Sequence, residues 1–484
     1  MSASDDVDLR HDRGDQVLEG LRRLAILPEW LTVPKAKVVG SALLPWSEQL
    51  GGEIGECSRH AMRLRTGYWA CRYHVRIRRA DGEVEVVVLS GELRPPGVVD
   101  DSPVGSIFLS ELGLLLRIQS RGAPSADVTS DPDLPALAML ADPQRSARFI
   151  EAALHAEGST YAGASISECV PEVMRYNPGS RCTLRYHLRT VTEATTPRMV
   201  VAKVHRGDKG LIAWNAMSAL WASRLAGGDV VAIAEPLSYD PDLKVLLQGR
   251  VAGEATLKDI IGDALISPTP VSMERIERLI DKTADGLAAL HSSAAPVDEI
   301  VTLDDELGEV KVAWRRLVSL CPEIAGAADA LFEEVERIGS LRPSDPLVPS
   351  HRSFRPAQVL VDGDQIAFID FDGFCRSEPA LDVALFRATL RCYGASLEFG
   401  AAGRSDETMR DRLVVLDQLN DRFLARYAHS CPISPERVAA WELLDVFVHL
   451  QNAWTKVRPY RPVTTLPVIA RLLSQSIASS SAPR

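Results

Sequence analysis

Apolar and polar residues alternate in two Arg-rich segments of the chain. One segment reads RCTLRYHLR from Arg181, and the other reads CRYHVRIR from Cys71. In each, the Cys, Tyr and aliphatic residues share one face of an extended chain, because successive side chains of a strand point to opposite sides. The pattern predicts a strand in each segment, with its Cys/Tyr face buried and its Arg/His face outward.

These strands lie in longer segments that resemble each other. ECSRHAMRLRTGYWACRYHVR begins at Glu56 and ECVPEVMRYNPGSRCTLRYHLR begins at Glu168, and with one gap nine positions are identical. We predict a strand–turn–strand in each, related by internal duplication; the alternative is a chance match between amphipathic strands. A third apolar strand follows each pair. In the second copy it contains Lys203, and in the first the corresponding position is near Leu89.

Lys203 is the first candidate for a functional side chain. It stands in MVVAKVH, between Val and Ala residues. An ammonium group buried on such a strand needs an anionic partner. The alternative is a lysine whose stem follows the sheet while its charge stays in water.

The length of 484 residues predicts more than one domain. A stretch rich in Ser, Pro and Asp, QSRGAPSADVTSDPDLP, separates the two strand-rich regions. We predict a disordered tail over residues 1–15 and an α+β cap over 16–130, which copies the following lobe in degenerate form. A strand-rich lobe over 131–250 and a helical lobe over 251–484 complete the chain.

Charge and composition narrow the possible partners. The hydrophobic fraction of 46% and charged fraction of 25% are typical of a soluble globular protein. A formal net charge of −11 disfavours binding to nucleic acid or anionic membranes. The N-terminal residues lack the apolar core of a signal peptide, and no apolar run reaches the roughly 18 residues that a membrane helix needs. We therefore expect a cytoplasmic protein that binds small molecules, without nucleic-acid or membrane partners.

The segment HRSFRPAQVLVDGDQIAFIDFDG, residues 351–373, carries the most specific pattern. It predicts a strand, a tight turn and a second strand that ends at Asp370. A carboxylate at the end of an apolar strand is costly to bury unless it is paired. Magnesium accepts one or two such carboxylates together with phosphate oxygens. Asp370 is therefore a candidate metal ligand, with a structural cap as the alternative, and Asp372 is a possible second acidic contact.

Together with EPALDVALF further on, this segment resembles the aminoglycoside phosphotransferase and choline kinase-like family, relatives of the protein kinases. The resemblance covers about residues 160–450. It implies a bilobal kinase-like fold, with a strand-rich N-lobe and a helical C-lobe, and it implies ATP and Mg²⁺ as cofactors.

The resemblance assigns roles to the candidate residues. Lys203 would hold the α- and β-phosphates. Gly179 and Arg181 would lie at the loop over the phosphates, although Pro-Gly is equally an ordinary turn. The segment 246–250, with Gln248 at its centre, would be the hinge against adenine. His351 and Asp382 would brace the catalytic loop, and Asp370 with Gln358 would bind the metal.

Three departures from the family pattern concern the chemistry. Ser353 stands where the family has its aspartate base, and a hydroxyl cannot take a proton near neutral pH as a carboxylate can. Gln358 replaces an asparagine, which keeps the amide oxygen one methylene further out. The segment after Lys203, GLIAWNAMSALWASRLAGG, has no acidic residue to form the usual Lys–Glu pair.

Two hypotheses follow. The chain is an ATP-dependent phosphotransferase for a hydroxylated small molecule, such as a sugar or aminoglycoside-like metabolite, because phosphoryl transfer depends mostly on positioning and electrostatics. Alternatively, it is a pseudokinase that binds nucleotide or a regulatory partner without turnover, because Ser353 replaces the base. The sequence identifies neither the phosphate acceptor nor the oligomeric state.

Overall fold

The computed structural model describes residues 3–96, 105–122, 133–155, 163–191, 197–397 and 406–479, together with residues 129, 131 and 161. Its strands are β1 (Glu53–Leu64), β2 (Trp69–Arg78), β3 (Val84–Leu93), β4 (Ile107–Leu109), β5 (Leu114–Gly122), β6 (Ile166–Asn177), β7 (Arg181–Thr190), β8 (Met199–His205), β9 (Ala232–Ile233), β10 (Pro236–Asp240), β11 (Val245–Gly249), β12 (Ala255–Thr256), β13 (Val348–Ser350), β14 (Val359–Asp362), β15 (Gln365–Phe368) and β16 (Cys375–Ser377). Its α-helices are Ala3–Arg22, Ala36–Ala42, Ser47–Leu50, Leu137–Leu140, Pro143–Leu154, Lys209–Trp221, Leu257–Ile266, Pro270–His291, Leu303–Val318, Asp329–Ser340, Ala380–Ser396, Asp406–Ser430, Pro435–Thr455 and Arg461–Ser479.

The predicted α+β class is confirmed by the sheets. One five-stranded sheet has the order β1-β2-β3-β5-β4, and a second has the order β10-β11-β8-β7-β6. A four-stranded sheet, β12-β14-β15-β9, and the pair β13-β16 carry the segment predicted to hold the acidic residues. None of the described helices is long and apolar enough to cross a bilayer.

The chain divides into two compact units. The first consists of Met1–Asp127, Leu303–Leu341 and Leu443–Arg484, and the second of Val128–Thr302 and Arg342–Glu442. The second unit holds the strand-rich lobe and most helices of the predicted kinase-like fold. The two C-terminal segments of the first unit, which the sequence places in the helical lobe, group instead with the N-terminal region.

Contacts of two tryptophans show why the later part of the helix Pro435–Thr455, from Leu443 on, belongs to the first unit. The indole of Trp69 donates to the Trp454 carbonyl oxygen at 2.9 Å, and the indole of Trp454 donates to the Leu24 carbonyl oxygen at 3.3 Å. Both rings are buried.

A helix begins at Ala3, where the sequence predicts a disordered tail, and it is anchored by buried Val17 and Leu21. Residues 1 and 2 and the predicted boundary at residue 130 lie outside the described residues.

Both predicted strand–turn–strand pairs are present, and each continues into a third antiparallel strand. The two copies form separate sheets with corresponding orders, β1-β2-β3-β5 and β6-β7-β8-β11. The Cys/Tyr faces are buried as predicted, and the equivalent tyrosines make equivalent bonds. Tyr73 donates to the Pro34 carbonyl oxygen at 3.0 Å, and Tyr186 donates to that of Leu140 at 2.9 Å.

The strand register corrects the expected counterpart of Lys203. Tyr73 pairs with Leu89, and Tyr186 pairs with Val200. Lys203 is three residues after Val200, and Glu92 is three residues after Leu89. The counterpart of Lys203 is therefore Glu92 and not a residue near Leu89. Glu92 is buried and forms two ion pairs. Its Oε2 is 2.6 Å from Arg94 Nη2, and its Oε1 is 2.8 Å from Arg117 Nη1. The first copy therefore carries the opposite charge at this position, compensated by its own arginines.

Candidate active site

Lys203 and Asp370 are in contact. Lys203 lies in the middle of β8, paired with Thr183 of β7 and Leu246 of β11. Its Nζ is 3.2 Å from Asp370 Oδ1. Asp370 follows β15 with a φ of 76°, in the left-handed region that non-glycine residues rarely adopt. Such backbone strain concentrates at functional sites, so the conformation of Asp370 marks this contact as a candidate site.

The side chains of His205 and Arg181 both contact the carboxylate of Asp372. His205 Nε2 is 3.0 Å from Asp372 Oδ2, and Arg181 Nη1 is 3.4 Å from the same oxygen. Lys203 Nζ lies 3.8 Å from Asp372 Oδ1. We call Lys203, Asp370, Asp372, Arg181 and His205 the Lys203–Asp370 cluster. It brings together four residues that the sequence assigned to phosphate and metal contacts, and it adds His205.

Both carboxyl groups of the cluster are ionised at neutral pH. Burial on its own would raise the pKa of Asp370, but the charges of Lys203 and Arg181 outweigh it and hold that pKa well below its usual value. Burial also opposes ionisation of Asp372, whose pKa is nevertheless lowered by the hydrogen bond from His205 and the charge of Lys203. The cluster thus presents two carboxylates held by positive charge.

The hydroxyl of Ser353 lies beside two acceptors. His351 is fully buried, and this burial lowers the pKa of its ring, so the imidazole is neutral. Its Nε2 lies 3.0 Å from the Ile369 carbonyl oxygen, which can only accept, so Nε2 carries the proton and Nδ1 is an acceptor. Ser353 Oγ is 3.2 Å from Nδ1 and 3.4 Å from the Asp370 carbonyl oxygen, and both atoms are acceptors for its hydroxyl proton. The Ser353 hydroxyl, at the position predicted for the base, is therefore a hydrogen-bond donor within the loop.

Asp382 fixes the start of the same loop. Its Oδ2 accepts from the backbone N–H of His351 at 2.6 Å and lies 3.1 Å from Nε2 of His291. The other ring nitrogen of His291 is 2.6 Å from the Tyr427 hydroxyl oxygen. His351, Asp382 and His291 are all buried. This chain of bonds gives Asp382 the contacts expected of a residue that orients the loop.

Gln358 lies between a cation and a carboxylate. Its Oε1 accepts from Arg355 Nε at 3.2 Å, and its Nε2 faces Asp370 Oδ2 at 3.5 Å. The side chain is buried. Gln358 is therefore near the metal-ligand candidate, as the sequence predicts, but its amide oxygen points to Arg355.

The turn that contains Gly179 offers little to a phosphate. Gly179 has a φ of 66°, and its N–H donates at 2.6 Å to Asp131, which also accepts from the Tyr176 hydroxyl at 2.9 Å. Pro178 has no N–H, and the N–H of Ser180 donates back to the Asn177 carbonyl oxygen. These turn amides are already engaged, so phosphate recognition here would depend on side chains such as Arg181.

Gln248 lies on the same face of the sheet as Lys203. Lys203 pairs with Leu246 and Val201 pairs with Gln248, so the two side chains project from one side of neighbouring strands. Gln248 is only 6% exposed, and among the described residues its Oε1 has no hydrogen-bond partner. A buried acceptor left unsatisfied beside the candidate site is an indication of a ligand group that would complete it.

Three residues of this site were not predicted from the sequence: His205, Arg355 and Asp131. His205 follows Lys203 by two positions, so the strand period places both on one face and could have revealed it. Arg355 lies within the recognised segment but was not assigned a role. Asp131 is 48 residues before Gly179, and no local pattern links the two. Within the described part of the chain, no group of three or more His, Cys, Asp and Glu side chains is arranged to hold a metal ion.

The part of the chain that holds this site is similar to known proteins. Residues 183–413 match the family described as "Phosphotransferase enzyme family". A search of curated proteins finds no match. Among solved structures, a glucosamine kinase is 15% identical, with 93% of this chain and 100% of that chain covered and a TM-score of 0.48.

Two other solved structures are similar. A thermostable mutant of aminoglycoside phosphotransferase APH(4)-Ia is 14% identical over 69% of this chain and 100% of that chain, with a TM-score of 0.41. A choline kinase from Cryptosporidium parvum is 12% identical over 69% of this chain and 98% of that one, with a TM-score of 0.43. The resemblance predicted from the sequence is confirmed over residues 183–413, which match the phosphotransferase enzyme family.

Proposed function

We propose that this chain binds ATP at the Lys203–Asp370 cluster and that its phosphotransfer is impaired, so that it acts as a nucleotide-binding pseudokinase. The observation that carries the proposal is that the Ser353 hydroxyl faces two acceptors, His351 Nδ1 at 3.2 Å and the Asp370 carbonyl oxygen at 3.4 Å. At the position of the base there is a hydroxyl whose proton is already donated, and a hydroxyl cannot accept a substrate proton near neutral pH.

Nucleotide binding is supported by the charges and the buried acceptor at the site. Lys203 and Arg181 provide cations for phosphate groups, and the unsatisfied Oε1 of Gln248 can accept from an exocyclic amino group such as that of adenine. Magnesium would be held by Asp370, with Asp372 as the second carboxylate. Asp372 Oδ1 accepts no hydrogen bond within the described residues, which fits a metal ligand. Magnesium would supply charge neutralisation to the phosphates.

A slow phosphotransferase for a hydroxylated small molecule is the second candidate function. It is supported by the bonds that Asp382 makes to His351 and His291, because they hold the start of the loop in place. Positioning and electrostatics provide most of the catalysis in phosphoryl transfer, so a slow reaction without the base is physically reasonable.

The proposed function is tested by thermal unfolding with and without Mg·ATP. At a nucleotide concentration 100 times the dissociation constant, wild type should gain about 2.7 kcal/mol of stability. Lys203→Ala and Asp370→Ala should each lose this gain, because they remove the phosphate and metal contacts. Arg342→Met, which removes a cation from an exposed pair with Glu436, serves as the control. No shift in wild type at millimolar nucleotide would refute nucleotide binding.

Replacing Gln248 with leucine should have opposite effects on stability and on binding. The unliganded protein should become more stable by about 1 kcal/mol, because a buried unsatisfied acceptor costs roughly 1–3 kcal/mol. Affinity for ATP should fall, whereas affinity for tripolyphosphate, which has no base, should stay the same. Urea unfolding and calorimetric titration measure the two effects. Equal losses for both ligands would mean that Gln248 does not contact the base.

A further inference from the structure

The neighbours of Gln358 determine how its amide is oriented. Arg355 has only donors, so the amide atom at 3.2 Å from its Nε must be the oxygen. Asp370 accepts from Lys203 Nζ at 3.2 Å and faces the amide with its other oxygen at 3.5 Å, so the amide atom on that side is the nitrogen. Both contacts require the same orientation of the Gln358 amide, with its oxygen toward Arg355 and its nitrogen toward Asp370.

A metal ion shared by Asp370 and Gln358 would require the opposite arrangement. Both ligating oxygens would have to converge on the ion, so the amide would have to turn over and lose its bond to Arg355. The guanidinium of Arg355 would then lie beside a divalent cation. Since Arg355 is charged at any working pH, it would oppose a metal at that position electrostatically.

Arg355 belongs to a larger group of cations. Arg175 and Arg181 are close enough to repel it electrostatically, and Asp370 attracts it. With Lys203, this group holds four positive side chains against the two carboxylates of Asp370 and Asp372. The excess of positive charge is the complement of a polyphosphate, and it lies in a chain whose net charge is −11. Arginine also matches phosphate oxygens with a planar pair of donors.

We infer that Arg355 takes the place of a second metal ion, so that the site binds a polyphosphate with at most one divalent cation and retains measurable affinity without any. This inference rests on the proposed nucleotide binding and specifies how the ligand's charge is neutralised. Gln358 is a bridge between Arg355 and Asp370 and does not ligate a metal.

The test measures binding rather than turnover. ATP and tripolyphosphate are titrated into the full chain by calorimetry in excess EDTA and in excess Mn²⁺, and bound Mn²⁺ is counted by electron paramagnetic resonance. Wild type should bind both ligands in EDTA and hold one Mn²⁺ per ATP complex. Arg355→Met should lose about tenfold in metal-free affinity, as expected for a charged hydrogen-bonding contact. Arg342→Met, which removes the same charge elsewhere, should not change the affinity.

The outcomes separate this inference from the proposed function. Two Mn²⁺ ions per complex, binding that is absent in EDTA but present with metal, or an Arg355→Met affinity equal to wild type would each overturn the role of Arg355 and leave nucleotide binding standing. No binding of either ligand, with or without metal, would overturn the proposed function as well. Circular dichroism of unliganded Arg355→Met verifies that the variant is folded.

Discussion

Replacing Ser353 with aspartate should increase phosphotransfer or ATP hydrolysis by up to about 10²-fold, because a positioned general base typically contributes about 10²–10⁴-fold. The serine hydroxyl donates to His351 Nδ1 or to the Asp370 carbonyl oxygen, whereas a carboxylate could accept the proton of an incoming hydroxyl or water. Steady-state assays with a panel of hydroxylated acceptors measure the effect. Ser353→Asn is the matched control, since it has the size of aspartate without its basicity, and Asp370→Ala provides the blank.

The result distinguishes three states of the site. An increase specific to aspartate means that the rest of the machinery is intact and that the base alone is missing. Equal inactivity of wild type, Ser353→Asp and Ser353→Asn would show that the γ-phosphate is not positioned for transfer, which is the stronger form of the pseudokinase proposal. Robust wild-type turnover that Ser353→Asp reduces would contradict the proposal, because Ser353 would then take part in the reaction itself.

Replacing Arg437 with methionine should destabilise the protein by about 3–5 kcal/mol, the usual effect of leaving a buried charge without its partner. Glu378 is 2% exposed and is held by two guanidinium nitrogens of Arg437, with Nε at 2.8 Å from Oε2. Trp441 Nε1 adds a hydrogen bond at 2.6 Å. Without Arg437 the carboxylate would remain buried with the indole as its main partner. Urea unfolding measures the loss.

Two further variants make this prediction specific. Adding Glu378→Gln to Arg437→Met should recover much of the stability, because the unpaired charge is then removed. Arg342→Met should change stability by no more than about 1 kcal/mol, because its pair with Glu436 is exposed to solvent. A loss for Arg437→Met as small as that for Arg342→Met would mean that the Glu378 pair does not stabilise the fold.

The sequence by itself determined which segments form the site. The alternation around Arg181 to Arg189 specifies a strand with one buried face, because that periodicity is incompatible with a helix. The apolar run before Asp370 specifies a strand that ends in a carboxylate. Ser353, at a position defined by its spacing from His351, already predicted that the base is missing. These features are local in sequence, and local sterics and burial are sufficient to specify them.

The tertiary structure decided which partner each polar group takes. Nothing near Gly179 shows that its N–H is bound by Asp131, 48 residues earlier, and nothing in the segment after His351 shows that Gln358 turns its oxygen to Arg355. A hydrogen-bonding side chain has several possible partners within its reach, and the packed structure selects among them. For the same reason the sequence expected a residue near Leu89 as the counterpart of Lys203 in the first copy, whereas the strand register makes it Glu92.

The division of the chain into units likewise depended on contacts that are distant in sequence. The indole of Trp69 donates to the carbonyl oxygen of Trp454, 385 positions away, and so the last turns of the helix Pro435–Thr455 belong with the N-terminal sheet. Helical periodicity shows that such a helix has an apolar face, but the partner of that face is chosen by shape and by buried hydrogen bonds. The sequence therefore determined the helices and strands and the functional side chains that they carry. Packing between distant segments decided which of those side chains come into contact.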